Sequence, residues 1–262
     1  MRVAAIYDIH GNLPALEAVL GEIQSEGVDR IVVGGDVVPG PMPRECVAAL
    51  KDLSVPVDFI RGNGESDIVA LHRGEPMVRV PAQFHEVMRW VAESLPPEYI
   101  ADFAAWPLTT TLEVPGLGSV LFCHATPENE NRIFTRITPE PPLRMLFEPT
   151  GADVIVCGHT HMQFERNVGS IQVVNAGSIG MPFGEPGAYW LMLDAGVDLR
   201  RTEYDLTAAD ERIRSSGYPE AAGLDILQPP RAPDMERLFE DAALKSRKHH
   251  EATLGSHGDD DR

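Results

Sequence analysis

Five apolar segments of this chain each end in a residue type that binds metal ions, and in each case that residue stands in a loop. The loops read YDIHGN, VGGDVVPG, RGNGE, FCHA and VCGHTH, and they begin at residues 7, 33, 61, 122 and 156. Loops at the carboxyl ends of strands in an α/β sheet converge on one edge, where ligands bind. The pattern therefore predicts an α/β fold that gathers these five loops into one site.

Strand and helix patterns alternate in the first third of the chain. Short apolar runs predict strands at residues 3 to 7, 30 to 33 and 57 to 60, and helical spacing of apolar residues predicts helices at 14 to 24 and 45 to 50. This alternation is typical of a parallel βαβ sheet.

The rest of the chain mixes both patterns, with glycine and proline clusters between them. We predict helices at residues 82 to 94, 97 to 105, 207 to 216 and 232 to 248, and strands at residues 109 to 114, 119 to 123, 154 to 157, 171 to 174 and 189 to 194. We expect one domain over 1 to 228 and a helical extension over 229 to 248. Residues 249 to 262 are charged and poor in apolar side chains, which predicts a disordered tail.

Composition excludes several classes of function. With 262 residues, 43% of them hydrophobic, the chain can bury one large core. Forty acidic against 22 basic residues give a net charge of −18, which argues against binding of nucleic-acid polymers. A phosphate ligand would therefore need a local positive centre, and bound divalent ions can supply one.

Compartment and membrane association follow from other features of the sequence. No apolar run is long enough to span a membrane, and the sequence opens on a strand pattern without a leader, so we expect no membrane partner. Three cysteines, at 46, 123 and 157, fit small buried side chains in a reduced compartment. We expect a cytoplasmic protein, and the sequence does not indicate an oligomeric state.

Seven side chains in the five loops are candidate metal ligands: Asp8, His10, Asp36, Asn63, His124, His159 and His161. Imidazoles, carboxylates and one amide suit manganese, iron, zinc or nickel, whereas calcium favours an all-oxygen set. The pairs Asp8/His10 and His159/His161 are two residues apart, so extended backbone would point each pair to one side. Asp36 follows Gly34 and Gly35, which allow close approach of the backbone, and is the natural ligand to bridge two ions.

Each of these residues has an alternative interpretation when it is taken alone. An aspartate after a strand is commonly a turn or helix-capping residue, and a loop histidine is commonly solvated. Five strands that all end in ligands are not expected from turn chemistry. Together they favour a centre of two divalent transition ions, with manganese the first choice.

The five loops also match an ordered family signature. Metal-ligand residues stand here in the order of the blocks DxH, GD, GNH(D/E), GH and GHxH, with GNGE in place of the third block, and the chain resembles the calcineurin-like metallophosphoesterases. The segments DIHGNLPALEAVL and NAGSIGMP are similar to those of its compact bacterial branch, with YfcE-type phosphodiesterases and asymmetrical dinucleoside tetraphosphatases. The resemblance covers residues 1 to 205, with a weaker echo to 228. It implies a four-layer α/β/β/α sandwich of two mixed sheets flanked by helices.

The resemblance also implies a role for each ligand. Asp8, His10 and His161 would hold one ion. Asn63, His124 and His159 would hold the other, with Asp36 bridging. The residues expected to act in catalysis are Asp36, Asn63 and His124.

The chain departs from the family at one position. Most members carry a histidine at the place of Gly64, and the resemblance implies that this histidine would help to protonate the leaving oxygen or steady the phosphate. General acid help contributes about 10²- to 10⁴-fold and matters most for poor leaving groups. Unless His72, Glu65 or a nearby loop histidine replaces it, we expect a preference for phosphoanhydrides or activated esters.

Further residues near the motifs have two open interpretations each. Glu65 could orient His10 or another ligand imidazole, or be a plain surface carboxylate. Asn12 could donate its amide to a phosphate oxygen, cap the helix that starts near residue 14, or do both. Arg61 could clamp phosphate or form a structural ion pair.

Two loops are candidates for the walls of the site. The segment NAGSIGMPFGEPG, from Asn175 onward, has glycines that let backbone amides approach an anion, and we predict that Asn175 contacts substrate. The alternative is a mere connecting loop. The loop over residues 126 to 142 has the length and polarity to influence substrate choice.

The leading functional hypothesis is a metal-dependent phosphohydrolase in which water attacks directly, without a covalent intermediate. We expect a small phosphorylated substrate: a phosphodiester, a nucleotide or a dinucleoside polyphosphate. No G-x-S-x-G element and no Walker loop suggests another mechanism. The alternatives are a catalytically impaired scaffold that binds a protein partner, and a serine/threonine protein phosphatase.

Overall fold

Two five-stranded sheets form the centre of the molecule. The structure, a computed structural model, describes residues 1 to 255, and side chains to residue 245. The strands are, in chain order, β1 (Val3–Ile6), β2 (Arg30–Val33), β3 (Val57–Phe59), β4 (Thr109–Val114), β5 (Gly118–Cys123), β6 (Val154–Cys157), β7 (Phe164–Val168), β8 (Ile171–Asn175), β9 (Ala188–Leu193) and β10 (Val197–Thr202).

Eight α-helices are present in the described residues. They are, in chain order, α1 (Leu13–Glu26), α2 (Pro43–Lys51), α3 (Asn63–His72), α4 (His85–Ser94), α5 (Pro97–Ala105), α6 (Glu140–Phe147), α7 (Leu206–Ser215) and α8 (Ala232–Gly255). None of the described helices is both long enough and apolar enough to cross a membrane.

Both sheets combine parallel and antiparallel pairs. The first has the order β10-β9-β1-β2-β3, in which β1, β2 and β3 are parallel and β9 runs antiparallel to β1. The second has the order β4-β5-β6-β8-β7, in which β5, β6 and β8 are parallel. The predicted βαβ start and the two mixed sheets are confirmed. The carboxyl ends of both parallel sets are where the five loops begin.

Three apolar clusters show how the layers stack. Alternate residues of β1 face opposite ways: Val3 and Ala5 join a cluster between the sheets, while Ala4 and Ile6 join a cluster under the helices. A third cluster lies on the outer face of the second sheet, where α6 covers it. This arrangement is the predicted α/β/β/α sandwich.

Four secondary-structure elements were not predicted from the sequence. The strands β7 (FERNV) and β10 (VDLRRT) lie at sheet edges, where charged outward side chains hide the alternation. The helix α3 opens on a glycine pair around Asn63, and α6 is short and carries two prolines in its first turn. Both helices fall in segments that composition marks as loops.

The C-terminal helix is longer than predicted. It was expected to end at residue 248, but α8 continues to Gly255 and so includes the start of the predicted tail. Residues 256 to 262 lie outside the described part of the chain. The domain boundaries at 228 and 248 stay predictions.

One glycine supports the contact between the sheets. Tyr7 is fully buried between them, and its hydroxyl donates to the carbonyl of Val156 at 3.2 Å. Its ring packs directly on Gly34, where an added Cβ would lie 1.9 Å from Cε1. Only glycine lets the ring and the loop after β2 approach this closely.

We expect Gly34→Ala to lower the free energy of unfolding by about 1 to 3 kcal/mol, because the methyl group would overpack the interface between the sheets. Gly21→Ala is the matched control: Gly21 lies inside α1 with nothing near an added Cβ, so alanine should stabilise by about 0.5 to 1 kcal/mol. Urea unfolding measures both. Equal effects of the two substitutions would contradict this packing.

Candidate metal centre

The seven predicted ligands stand where parallel strands end. Asp8 and His10 follow β1, Asp36 follows β2 and Asn63 opens α3 after β3, while His124 follows β5 and the last two histidines follow β6. The sheets meet here: Nε2 of His10 is 3.1 Å from Nε2 of His161, and Nε2 of His124 is 3.1 Å from Oδ1 of Asn63. The fold thus joins ligands from both sheets.

Two overlapping groups of side chains could each hold an ion. The first is Asp8, His10 and His161, and the second is Asp8, Asp36 and His124; in each, the ligand atoms lie within 4.8 Å of one another. Oδ1 of Asp8 is 3.3 Å from Nε2 of His161 and 3.8 Å from Nε2 of His124. Asp8 therefore lies between the groups.

Asp36 is also placed between the two groups. Its Oδ2 is 3.8 Å from Nε2 of His10 and 3.5 Å from Nε2 of His124. His159 is not part of either compact group, but its ring centre is 5.2 Å from that of His124. The predicted division of ligands between two ions and the bridging role of Asp36 stay predictions.

Backbone carbonyls set the direction of three imidazoles. Nδ1 of His10, His124 and His161 lies 3.1, 2.9 and 2.8 Å from the carbonyl oxygens of Pro39, Gly34 and Met181, respectively. A carbonyl only accepts, so each Nδ1 carries a proton and each Nε2 faces the centre. Neutral rings would then direct lone pairs into the same space, where they repel unless a cation is bound.

Two buried atoms in the centre also lack a partner. Oδ1 of Asp8 and Nε2 of His159 are buried and accept no hydrogen bond from any described residue. Orphaned acceptors of this kind are uncommon in folded proteins. Together with the converging imidazoles, they form a donor set that fits borderline divalent transition ions.

Charge in the centre is balanced between carboxylates and imidazoles. Burial would raise the pKa of Asp36, but His124 and His10 hold it well below its usual range. Burial would lower the pKa of His124, but Asp36 and Asp8 raise it to about 10, whereas burial and His124 lower the pKa of His159 to about 4. The aspartates attract positive charge, for which protons and a metal ion compete.

The ligand loops have unusual backbone conformations. Among the described residues, the non-glycine positions with positive φ are five of the ligands: Asp8 (52°), His10 (45°), Asp36 (50°), His159 (68°) and His161 (57°). The extended backbone expected for the two ligand pairs is therefore wrong. Left-handed residues turn the chain sharply, which aims both members of a pair inward. Such conformations cost about 1 to 3 kcal/mol each and cluster at functional sites.

Comparison with known proteins identifies the family of this chain. The family model of the calcineurin-like phosphoesterase superfamily domain matches residues 1 to 196. The chain belongs to this superfamily. Its general activity is therefore that of a phosphoesterase, which hydrolyses phosphoester bonds.

Individual relatives cover most of the chain. An uncharacterised protein of Methanocaldococcus jannaschii, MJ0912, is 28% identical over 84% of this chain and 95% of its own length. Phosphodiesterase YfcE of Escherichia coli K12 is 26% identical over 75% of this chain and 89% of its own. The crystal structure of a metallophosphoesterase from Sphaerobacter thermophilus superposes with a TM-score of 0.67 at 25% identity, covering 87% and 98% of the two chains.

Glu65 supports the backbone of the phosphoesterase centre instead of orienting an imidazole. It is fully buried: Oε2 accepts from the backbone amides of Asp36 (2.9 Å) and Gly62 (2.8 Å), and Oε1 accepts from that of Val38 (3.1 Å). The predicted bond to His10 is not formed, because Pro39 occupies Nδ1 of that ring. The surface alternative is also wrong. Burial and the charge of Asp36 raise the pKa of Glu65 to about 7.

The space beside Gly64 is occupied by the chain itself. Gly64 is buried in the first turn of α3, and its amide donates to Oδ1 of Asp36 at 2.7 Å. An added Cβ would lie 2.0 Å from the carbonyl oxygen of Val38 and 2.9 Å from Cδ of Pro39. The family histidine therefore has no room here. The sequence did not reveal this, because it does not show that Pro39 lies beside Gly64.

No described residue takes the place of that histidine. His72 lies at the far end of α3, about 12 Å along its axis, and is exposed. The carboxylate of Glu65 is engaged by three backbone amides. Outside the metal cluster, His85 bonds to the carbonyl of Val80.

Asn12 has the capping role foreseen for it. Its Oδ1 caps α1 by accepting from the amide of Ala15 (3.2 Å), and its Nδ2 donates to the carbonyl of Gly180 (3.0 Å) and the hydroxyl of Tyr204 (3.3 Å). Both amide hydrogens are thus in use. Contact with phosphate stays a prediction and would require one of these bonds to be exchanged.

Asn175 supports the loop that carries two ligands. Its Nδ2 donates to the carbonyl of Gly158 (2.7 Å) and the hydroxyl of Thr160 (3.1 Å), and its Oδ1 accepts from the amide of Gly177 (2.9 Å). The side chain is fully buried. This geometry favours a role in loop structure, and the contact with substrate stays a prediction.

Arg61 does not form the structural ion pair that was one of the two interactions expected for it. Its Nη1 donates weakly to the carbonyl of Ala104 at 3.3 Å, while its Nε is buried and has no partner among the described residues. No carboxylate of the described chain pairs with it, so the structural ion pair is not formed. A contact with phosphate stays a prediction.

We expect Gly64→His, which restores the family residue, to lower both activity and the free energy of unfolding. The side chain would displace Val38 and Pro39, and overpacking of this kind costs about 1 to 3 kcal/mol. Urea unfolding and nitrophenyl phosphate hydrolysis measure the two effects. His72→Ala is the control and should change neither. A more active and equally stable Gly64→His protein would show that the space is free.

Proposed function

We propose that this phosphoesterase is a metal-dependent phosphohydrolase with a dinuclear centre held by the seven ligands. The observation that carries the proposal is the convergence of imidazole Nε2 atoms on two buried aspartates: Asp8 belongs to both groups, and Oδ2 of Asp36 is 3.8 Å from Nε2 of His10 and 3.5 Å from Nε2 of His124. Two bound divalent ions can lower the pKa of a coordinated water and neutralise charge on phosphoryl oxygens. Manganese is the first candidate, and iron, zinc and nickel suit the same donors.

The chain contributes orientation. Glu65 holds the amides of Asp36 and Gly62 with one carboxylate oxygen, which fixes the loop after β2 relative to the start of α3. Gly64 donates to Oδ1 of Asp36, so its Oδ2 is directed toward the imidazoles. In this proposal Asp36, Asn63 and His124 are the residues that act in catalysis.

The ligand set argues against a decayed scaffold. All seven side chains are present, and five of them retain left-handed backbone conformations that carry a free-energy cost. A protein selected only for its outer surface has no need for this strain. Retention of the strain supports a working centre.

The space beside Gly64 suggests the substrate class. With Val38 and Pro39 filling the position of the family histidine, no described side chain there can protonate a leaving oxygen. Leaving groups that are stable as anions need no such proton. We therefore propose phosphoanhydrides, such as nucleotides or dinucleoside polyphosphates, and activated phosphodiesters as substrates; the relative YfcE is named a phosphodiesterase.

We expect Asp36→Asn to abolish manganese-dependent hydrolysis of bis-nitrophenyl phosphate. The loss should exceed the roughly 10- to 100-fold that follows removal of a group outside the ligand set. Chelation should remove wild-type activity and added Mn²⁺ should restore it. Asp58→Asn on β3, where Asp58 pairs with Arg30, is the control and should stay within twofold of wild type. Full activity of Asp36→Asn would contradict the proposal, and an inactive wild type would favour the scaffold.

We expect the rate to fall steeply as the pKa of the leaving group rises, since no general acid assists departure. A series of phosphodiesters from nitrophenyl to alkyl, with nucleotides, dinucleoside polyphosphates and a phosphoserine peptide, measures this by kcat/KM. Anhydrides and nitrophenyl esters should be turned over, and the peptide should not. A flat dependence would contradict the absence of a general acid, and preferred turnover of the peptide would favour a protein phosphatase.

A further inference from the structure

The C-terminal helix α8 contacts the surroundings of the metal centre, although it lies beyond residue 196, where the family match ends. Its contacts reach two loops. One loop follows the ligand His124, and the other follows β8 and contains Phe183. The helix therefore joins the segments on two sides of the site.

The contact with the second loop leads to a metal ligand. Phe183 stacks on the imidazole of His161, with ring centres 5.3 Å apart and planes 19° apart. The loop also accepts from Nδ1 of His161 through the carbonyl of Met181 (2.8 Å), and the amide of Phe183 donates to the carbonyl of His161 (3.2 Å). The ring of His161 is thus held on its face and at its Nδ1 by one loop.

The helix α8 holds that loop in turn. The ring of Phe239 lies against Phe183, with centres 6.0 Å apart and a tilt of 50°. Just before the helix begins, the carbonyl of Pro230 accepts from the amide of Gly184 at 2.9 Å. A continuous line of contacts runs from α8 through Phe183 to His161.

The first loop is anchored to the same part of α8. Oε1 of Glu240 accepts from the hydroxyl of Thr135 at 2.8 Å and also from that of Thr138. Glu236 pairs with Arg136 at 3.2 Å. Because Glu236, Phe239 and Glu240 all face inward on adjacent turns, one helix fixes both loops.

We propose that α8 is a functional part of the metal centre, and that Phe239 is a positioning residue that holds the imidazole of His161 through Phe183. The proposal rests on the metal centre of the proposed function. Groups that orient a ligand from outside the ligand set affect metal affinity by about 10- to 100-fold. If Phe239 only covered apolar surface, its removal would lower stability and leave affinity for the ion unchanged.

The test is Mn²⁺ binding by the full-length protein, measured as stoichiometry and affinity in equilibrium dialysis without any substrate. His161→Ala first identifies which of the two ions depends on that ligand. Phe239→Ala should lower the affinity for that same ion about tenfold or more. The affinity for the other ion should stay within twofold of wild type. Thermal unfolding in chelator reports separately whether the fold itself is changed.

Leu238→Ala is the matched control, because Leu238 is the neighbouring residue and is 58% exposed. It should change neither affinity nor stability. If the Phe239→Ala protein unfolds, Phe239→Leu takes its place, because leucine keeps apolar bulk without the ring. Phe239→Leu should still lower the affinity for the ion that depends on His161. Phe239→Tyr, which keeps a ring, should bind that ion as wild type does. Wild-type affinity in Phe239→Ala or Phe239→Leu, or equal loss for both ions, would overturn the inference alone. A wild-type protein that binds no Mn²⁺ would overturn the metal centre as well.

Discussion

Two buried aspartates that have no lysine or arginine partner among the described residues are the constraint on which the rest of the structure depends. Among the described residues, Asp8 and Asp36 form ion pairs with imidazoles only, and both side chains are nearly inaccessible. Burying uncompensated charge is expensive, so the fold must bring positive charge to this point. The sharp loops serve that need: left-handed turns at five ligands direct side chains inward, and carbonyl groups hold the imidazoles with Nε2 facing the aspartates.

The centre could be predicted because each ligand lies next to an apolar strand in the sequence. A ligand directly after an apolar strand is visible in one dimension, and parallel strands bring such positions together. What could not be predicted depends on contacts between distant segments. Glu65 is an acidic residue in a loop motif until its three backbone donors are known, and Asn12 and Asn175 are polar residues whose amides turn out to hold the chain. The edge strands β7 and β10 and the short helices α3 and α6 were missed because their patterns are weak.

Gly64 shows how one departure from a family pattern depends on a second segment. The absence of the histidine does not leave an empty space, because Val38 and Pro39 lie where its Cβ would be. The backbone amide of Gly64 donates to Asp36. The two segments fit each other, so a single substitution at either one disturbs both. The same fit removes a proton donor from the side of the leaving group, which links local packing to the choice of substrate.

Ligands from both sheets meet in this centre. Four belong to loops of the first sheet and three to loops of the second, and His10 and His161 approach each other across the interface. Any ion held there would act as a cross-link between the two halves of the sandwich at one edge. Without the ion, the two sheets would be able to separate locally at that edge. Amide hydrogens of β1 and β6 would then exchange with solvent faster than in the ion-bound protein.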